Sequence, residues 1–331
     1  MHVCVDRVDY APGEEVTGLV YLYLRRRIKT ETVWLKLKCT EETHVGRRKG
    51  LKHWVRQRFA LGKWQNEIPA GSYSLPFHFT LPASMPCSFK IALDQASASI
   101  TYKLKAQVSG KNSLLKHHLL LPIHSPPLLQ SGSREERISH TASCCRNRGH
   151  VKLIAGFERA SYTSGLSPSL IVEVDNSKGS MEMSGLVLRL YRLLKLKDDQ
   201  GKANVWKFEL TSVQKEQRIP SRQSLLEHQA MVLPLSLEAF RVSLAEAPTV
   251  NSALIECHYL CEVNLQPATG YCGATLPQGV AVPVTFLAGK PGQPPLPVAP
   301  EDWKPTVLPS ADLSIGQQYE YLPSAPPADT N

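Results

Sequence analysis

Residues 68–108 contain the pattern that decides the fold. They begin Ile68-Pro-Ala-Gly-Ser-Tyr-Ser-Leu-Pro-Phe-His-Phe-Thr-Leu-Pro82 and end Ile100-Thr-Tyr-Lys-Leu-Lys-Ala-Gln-Val108. In both pieces large apolar residues alternate with small or polar ones, and a period of two residues predicts a strand with one buried face. Pro82 and Pro86 end the first strand, because proline cannot donate to a sheet and favours a turn. The stretch therefore predicts two strands, joined by a proline-bounded loop, in the middle of an antiparallel β-protein.

Short alternating runs of the same kind fill most of the 331 residues on both sides of this stretch. The apolar fraction of 42% is sufficient to form hydrophobic cores. The length suits two domains of ordinary size and a tail. No run approaches the ~18 apolar residues of a membrane-spanning helix, and Met1 leads directly into a strand pattern rather than a signal sequence. We therefore expect a cytoplasmic protein, and its eight irregularly spaced cysteines are expected to be mostly reduced thiols.

The second half of the chain repeats the landmarks of the first. Arg7-Val-Asp-Tyr10 has a counterpart in Arg159-Ala-Ser-Tyr162, and Ile68-Pro69 has one in Ile219-Pro220. The offsets are 152 (162 − 10) and 151 (219 − 68) residues. A near-constant offset predicts two copies of one antiparallel sandwich. We place them at residues 1–125 and 150–289, with a linker at 126–149 and a disordered, proline-rich tail at 290–331.

The net charge of +9 is concentrated in one region. Residues 25–63 contain thirteen Lys or Arg and three Glu, whereas residues 291–331 contain one Lys and five acids. A basic patch on a protein of this kind indicates an anionic partner: acidic lipid, a phosphorylated peptide or nucleic acid. Acidic lipid, a phosphorylated cargo tail and a merely solvated sheet face all stay open. The candidate anion-binding or membrane-facing residues are Arg25, Arg26, Arg27, Arg47, Arg48, Lys49, Lys52, Arg56 and Arg58.

Several motifs together resemble the arrestin family. Tyr10-x-Pro-Gly-Glu-x-Val-x-Gly18, Leu75-Pro-Phe-x-Phe-x-Leu-Pro82 and Ile100-x-Tyr-x-Leu-x-Ala106 are similar to the amino-terminal arrestin domain. Arg159-x-x-Tyr162 and Val172-Glu-Val-Asp-Asn-Ser177 are similar to the start of the carboxyl-terminal one. The similarity covers about residues 2–289 and is closer to the α-arrestins, the arrestin-domain-containing proteins, than to visual and β-arrestins.

This resemblance implies an all-β protein: two tandem immunoglobulin-like antiparallel β-sandwiches, the arrestin fold. It also implies a non-enzymatic adaptor without a cofactor, which bridges the tails or loops of membrane-protein cargo to ubiquitin ligases and sorting machinery. Members usually recruit HECT-type ligases through Pro-Pro-x-Tyr motifs. This chain contains none, which puts direct recruitment of that kind in doubt.

The tail contains a different short motif, Pro323-Ser324-Ala325-Pro326. It resembles the late-domain motif that docks in the UEV domain of ESCRT-I. An extended peptide stiffened by proline loses little entropy when it docks in an apolar groove. A tetrapeptide in a proline-rich tail also arises by chance, so both a docking motif and a spacer are open.

The remaining motifs concern acylation, metal binding, catalysis and nucleic-acid binding. Cys144 and Cys145, beside Arg146 and Arg148, suit either acylation or plain linker cysteines. Cys257 and Cys261 share one face of a predicted strand but lie ~13 Å apart, too far for one zinc ion, so we predict no metal site. No Gly-x-Ser-x-Gly elbow or phosphate loop indicates catalysis, and no recognition helix indicates nucleic-acid binding.

The sequence therefore predicts a cytoplasmic trafficking adaptor, peripheral to the plasma membrane and endosomes, that links membrane-protein cargo to the ubiquitin and ESCRT pathway. Two alternatives remain: a β-arrestin-like scaffold that binds phosphorylated receptor tails to regulate signalling, and a structural subunit of a sorting coat.

Overall fold

The structure is a computed structural model that describes residues 1–110, 113–125, 132–144, 146–163, 166–268, 274–288 and 304–315. The first sandwich is built from β1 (His2–Val5), β2 (Glu15–Leu24), β3 (Thr32–Val45), β4 (Arg48–Lys63), β5 (Gly71–Thr80), β6 (Phe89–Ala92), β7 (Ala96–Gly110) and β8 (Ser113–Leu120). One of its sheets has the order β1-β2-β5, and the other has the order β4-β3-β7 with β6 and β8 on the far side of β7.

The second sandwich follows the same plan. Its strands are β9 (Arg134–Ser143), β10 (Arg146–Phe157), β11 (Ser161–Thr163), β12 (Ser169–Asp175), β13 (Met183–Lys197), β14 (Ala203–Ile219), β15 (Ser224–Leu225), β16 (Met231–Pro234), β17 (Val250–Asn251), β18 (Ile255–Pro267) and β19 (Val280–Leu287). A short helix, α1 (Arg241–Glu246), lies between β16 and β17. The sheet orders are β15-β12-β10-β9 and β11-β19-β18-β13-β14.

The alternation of apolar and polar residues in residues 68–108 produces the core of the first sandwich, as predicted. Tyr73, Leu75, Phe77 and Phe79 of β5 are buried, and so are the apolar residues of β7 at alternate positions from Ala98 to Val108. The proline-bounded loop takes the chain from one sheet to the other, because β5 pairs with β2 whereas β7 pairs with β3. It also contains β6, which the sequence pattern did not indicate. No helix in the described ranges is long and apolar enough to cross a bilayer.

The internal repeat has an atomic counterpart. The backbone N–H of Arg7 donates to the hydroxyl of Tyr10 at 3.1 Å, and the N–H of Arg159 donates to the hydroxyl of Tyr162 at 3.2 Å. Both tyrosines are buried. The two copies therefore contain the same local hydrogen bond between an arginine N–H and the tyrosine hydroxyl three residues later.

The predicted linker at residues 126–149 is wrong for most of its length, since β9 and the first residues of β10 lie inside it. The buried face of β9 consists of Ser139, Thr141 and Ser143, while Ile138 on the other face is 60% exposed. The hydroxyl groups find partners, for example Thr141 Oγ1 donates to the carbonyl of Gly149 at 3.2 Å. A strand whose inner face is polar has no apolar alternation to reveal it.

The predicted disordered tail at residues 290–331 is also wrong for residues 304–315. Two short strands, β20 (Thr306–Val307) and β21 (Ala311–Asp312), pair in parallel with the outer edge of β5. Leu313 is 5% exposed, and Leu308 and Ile315 pack against the core. These few apolar residues are sufficient to dock the segment, although the composition of the whole tail is polar and proline-rich.

Candidate functional site

The outer face of the sheet β4-β3-β7 is basic, while its inner face forms the core. Side chains alternate along a strand, so Leu35, Leu37, Leu104 and Ala106 point inward and are buried. The residues at the intervening positions point to the other side. They are Lys36 and Lys38 of β3, Arg56 and Arg58 of β4, and Lys103 and Lys105 of β7.

The strand register places these six cations in two rows of three. Lys36 lies opposite both Arg58 and Lys105, and Lys38 lies opposite both Arg56 and Lys103. Neighbouring strands are about 4.8 Å apart, and like charges directly opposite each other destabilise a sheet. Within the described ranges, none of the four lysines has an acidic group within 4 Å. We call Lys36, Lys38, Arg56, Arg58, Lys103 and Lys105 the basic face.

Two neighbours report on the environment of the basic face. The Arg58 guanidinium lies over the Trp34 ring at 3.6 Å from its centroid, an arrangement that aromatic faces favour for cations. Burial lowers the pKa of His53, the positive charges of Lys38 and Arg56 lower it further, and the negative charge of Glu42 opposes them with a smaller effect. The histidine therefore lies in a net positive field.

Three other predicted cations lie away from the basic face. Arg25, Arg26 and Arg27 follow the end of β2, which belongs to the opposite sheet of the sandwich. Arg27 is paired with Glu67 at 3.2 Å. The sequence run from 25 to 63 therefore does not form one continuous patch.

Arg47 lies in the turn between β3 and β4, Arg48 and Lys49 are the first residues of β4, and this end of the hairpin meets the second sandwich. Arg48 donates to Asp198 at 2.9 Å and also to Asn204. Burial opposes ionisation of Asp198, but hydrogen bonds from Lys202, Arg48 and Gln200 hold its pKa below the usual range. Arg48 therefore connects the two sandwiches, and its role as an anion-binding or membrane-facing residue stays a prediction.

Lys49 and Lys52, two further predicted cations, also have local partners. Lys49 is 3.8 Å from the carboxylate of Glu42, and the ammonium of Lys52 lies over the Trp54 ring at 4.1 Å. Both therefore have a neighbour that already compensates part of their charge, unlike the four lysines of the basic face.

Glu41 is the central contact between the sandwiches, and sequence reasoning missed it. Its side chain is fully buried. One carboxylate oxygen accepts hydrogen bonds from the Ser252 hydroxyl at 2.6 Å and from the backbone N–H groups of Leu254 and Ile255 at 2.7 and 2.9 Å. The other oxygen accepts from the Trp54 indole at 2.8 Å. Four donors therefore satisfy one buried carboxylate at the junction.

The docked tail segment closes the outer edge of β5. The N–H groups of Leu308 and Leu313 donate to the carbonyls of Ser74 and His78 at 3.0 and 2.9 Å. The His78 ring also lies 3.3 Å from Ser310 Oγ and 3.5 Å from Asp312 Oδ1. This edge is therefore filled by the chain itself.

Two predicted sites lie partly or wholly outside the described residues. Cys144 is exposed in the turn between β9 and β10, with φ of 48°, whereas Cys145 lies outside the described residues. Pro323, Ser324, Ala325 and Pro326 also lie outside them. The acylation site and the late-domain motif therefore stay predictions.

The structure adds Lys36, Lys38, Lys103 and Lys105 to the candidates. The sequence shows that Lys36 and Lys38 share a face, as do Lys103 and Lys105, because each pair is two residues apart on a strand. It does not show that β3 and β7 are neighbours in this register. Only the pairing of strands separated by more than sixty residues brings the four lysines beside Arg56 and Arg58.

Comparisons with known proteins agree with this architecture. The family model of the arrestin (or S-antigen) N-terminal domain matches residues 56–118. The chain is 24% identical to human arrestin domain-containing protein 1 over 324 residues, which cover 92% of this chain and 69% of that protein. It is 25% identical to each of the mouse and rat proteins of the same name over 187 residues, which cover 52% of this chain.

The chain spans 42% of the length of each rodent protein in these alignments. The matches, together with the antiparallel sheets, confirm the predicted all-β fold and the predicted resemblance to the α-arrestins.

Proposed function

We propose that this chain, an arrestin-like protein of the α-arrestin type, is a non-catalytic adaptor that links membrane-protein cargo to the ESCRT sorting machinery. The observation that carries the proposal is the docked segment at residues 304–315, which immediately precedes the late-domain-like tail. A proline-rich tail that is attached to a folded adaptor domain at this point presents its motif beside whatever that domain binds.

The reach of the motif from the fold is limited by chain length. Pro323 follows Ile315 by eight residues (323 − 315). A fully extended chain of that length spans at most about 28 Å. A UEV domain that binds Pro323–Pro326 is therefore held close to the first sandwich. Such tethering raises the effective concentration of weak contacts made at the same time.

Cargo is proposed to bind by adding a strand to an open sheet edge. The edge of β5 is occupied by the tail segment, but β14 lies at the end of its sheet and pairs on one side only with β13 among the described strands. Its seventeen residues give a long row of backbone donors and acceptors. An extended cytosolic tail or loop of a membrane protein is able to pair with such an edge.

Ubiquitin ligases enter the proposal only indirectly. The chain contains no Pro-Pro-x-Tyr motif, so a ligase would be recruited through another contact or through the cargo. The adaptor is proposed to work in the cytoplasm, at the plasma membrane and endosomes, and acylation of the exposed Cys144 would be an additional attachment.

One observation favours the second candidate, a scaffold for phosphorylated receptor tails. The basic face contains two arginines, and arginine pairs well with phosphate. Binding of a doubly phosphorylated peptide, with no binding of its unphosphorylated form, would favour this function over the adaptor.

The adaptor proposal is tested by titrating a purified UEV domain with the full chain. Pro326→Ala is expected to abolish saturable binding, because the motif loses a proline that fills the apolar groove. Pro327→Ala is the matched control: it removes the adjacent proline and leaves the tetrapeptide intact. Equal binding by wild type and Pro326→Ala would contradict the proposal.

A further inference from the structure

The basic face continues onto the edge strand β8. Lys105 lies opposite His118, and Gln107 lies opposite Lys116, so both β8 residues project from the same side of the sheet as the basic face. Lys103 and Ser109 lie opposite Leu120 and Leu114, which are 58% and 54% exposed. Four adjacent strands therefore present cations on one side, with two exposed leucines at the rim.

Acidic groups are missing from this surface among the described residues. The outward position next to Lys38 along β3 is Thr40, and the first acid beyond it is Glu42, which is already paired with Lys49. On β7 the outward positions are Thr101, Lys103, Lys105 and Gln107. The four lysines Lys36, Lys38, Lys103 and Lys105 therefore lie side by side without an acidic partner among the described residues, which costs stability unless an external anion is present.

We propose that this surface, the basic face together with Lys116, Leu114 and Leu120, docks on a bilayer that contains acidic lipids. The inference rests on the proposed function, because an adaptor for membrane-protein cargo works at a membrane, and it identifies which surface touches the lipid. It adds Lys36, Lys38, Lys103, Lys105 and Lys116 to the predicted candidates Arg56 and Arg58, whereas Arg48 is used between the sandwiches.

The arrangement of the cations favours a lipid surface over a single phosphate group. Sheet spacings put the six positions of the basic face over an area of roughly 10 by 7 Å, and Lys116, Leu114 and Leu120 extend this surface across β8. A broad cationic sheet face of this kind suits an extended anionic interface, whereas one phosphate is bound by donors that converge on it.

The apolar residues fit the same partner. Leu114 and Leu120 are exposed on the side of the cations. Exposed leucines insert at the boundary between headgroups and acyl chains, while lysines bind the anionic surface. A partner that offered phosphate groups alone would leave these leucines without an apolar contact.

The test is co-sedimentation of the full chain with vesicles of phosphatidylcholine alone and of phosphatidylcholine mixed with phosphatidylserine. The variant Lys36→Gln/Lys38→Gln/Lys103→Gln/Lys105→Gln removes four charges from the surface. The matched control, Lys178→Gln/Lys202→Gln/Lys215→Gln/Lys304→Gln, removes four charges from exposed lysines elsewhere. Juxtamembrane lysines contribute enough that the first variant is expected to bind acidic vesicles at least about tenfold more weakly than the control.

Binding by the wild type is expected to require phosphatidylserine and to weaken as salt is added. Equal loss in both variants would overturn the proposal, because net charge rather than this surface would then explain binding. Loss of binding to a phosphorylated peptide in the first variant, with vesicle binding unchanged, would also overturn it in favour of a peptide site.

Two further readouts separate the outcomes. The first variant must keep the far-ultraviolet circular dichroism spectrum and thermal transition of the wild type, which shows that it is folded. A second variant keeps the charge, and it is expected to restore vesicle binding: Lys36→Arg/Lys38→Arg/Lys103→Arg/Lys105→Arg. Binding of the UEV domain is not expected to involve these lysines. Failure of the adaptor proposal would appear as UEV binding that Pro326→Ala does not reduce. Failure of the membrane proposal would appear as vesicle binding that the lysine variant does not specifically lose.

Discussion

The long sheets of the two sandwiches have corresponding strands but opposite charge arrangements. In the second sandwich the outward cations face acids: Lys195 and Lys197 both contact Glu256, at 3.1 and 2.6 Å, and Lys207 contacts Glu262 at 2.6 Å. In the first sandwich the corresponding β3, β4 and β7 place cation beside cation. The fold therefore does not require a row of lysines without acidic partners.

The charged residues of the second sandwich stabilise their own sheet, whereas the lysines of the basic face are available to an external partner. Opposite charges across strands contribute roughly 0.2–1 kcal/mol each, and like charges have the reverse effect. The ion pairs of the second sandwich contribute this free energy to its stability. The basic face of the first sandwich lacks such a contribution, but an external anion is able to neutralise its charge.

The largest expected effect concerns the contact that joins the two sandwiches. Glu41→Ala removes the acceptor of four hydrogen bonds, two of them from backbone N–H groups in the second sandwich. Buried donors left without partners make the change cost about 3–5 kcal/mol of unfolding free energy. Urea denaturation measures this loss, and hydrogen exchange at Leu254 and Ile255 locates it.

Glu42→Ala is the control for that change. Glu42 is the next residue, but its side chain is 40% exposed and pairs with Lys49 on the surface. Its loss is expected to cost less than about 1 kcal/mol. Similar losses for both variants would show that Glu41 is not the main connection.

A second experiment gives the first sandwich the charge pattern of the second. Lys103→Glu with Lys105→Glu places acids opposite Lys38 and Lys36. Binding to phosphatidylserine vesicles is expected to fall by about thirtyfold or more, because two cations are reversed, while the unfolding free energy rises by up to about 2 kcal/mol through the new pairs. Weaker binding accompanied by a lower stability would instead indicate a damaged sheet.

A third and smaller effect is expected from removing an acid in the second sandwich. Glu256→Gln leaves Lys195 and Lys197 without their carboxylate and is expected to cost about 1 kcal/mol of unfolding free energy at neutral pH. The hydrogen bond from Lys197 lowers the pKa of Glu256, burial opposes this, and Lys195 lowers it further.

The direction of that pKa shift gives the pH dependence. Because the folded pKa lies below the ordinary value of 4.5, the ionised carboxylate stabilises the fold above pH 4.5, and this contribution is lost as the pH falls through the folded pKa. The difference between wild type and Glu256→Gln should therefore shrink at acid pH. A difference that is constant with pH would exclude the ion pairs as its cause.

The sequence was informative where burial alone sets the pattern. Alternation from Tyr73 to Leu81 and from Ile100 to Val108 predicted both strands, and the Arg-x-x-Tyr repeat predicted the second sandwich. It was not informative where hydroxyl groups form the buried face, as in β9, or where a few leucines dock a polar tail, as at Leu308 and Leu313. The basic face depends on the register between β3 and β7, which local spacing does not encode.

The most direct test of the account is recruitment of a fluorescent UEV domain to giant vesicles that contain phosphatidylserine. Recruitment is expected only when the full chain is present, because the chain must contact lipid through its basic face and the UEV domain through Pro323–Pro326. Pro326→Ala should leave the chain on the vesicle but lose the UEV domain, and Lys103→Glu/Lys105→Glu should lose both. Recruitment of the UEV domain by both variants at the level of the wild type would contradict the account.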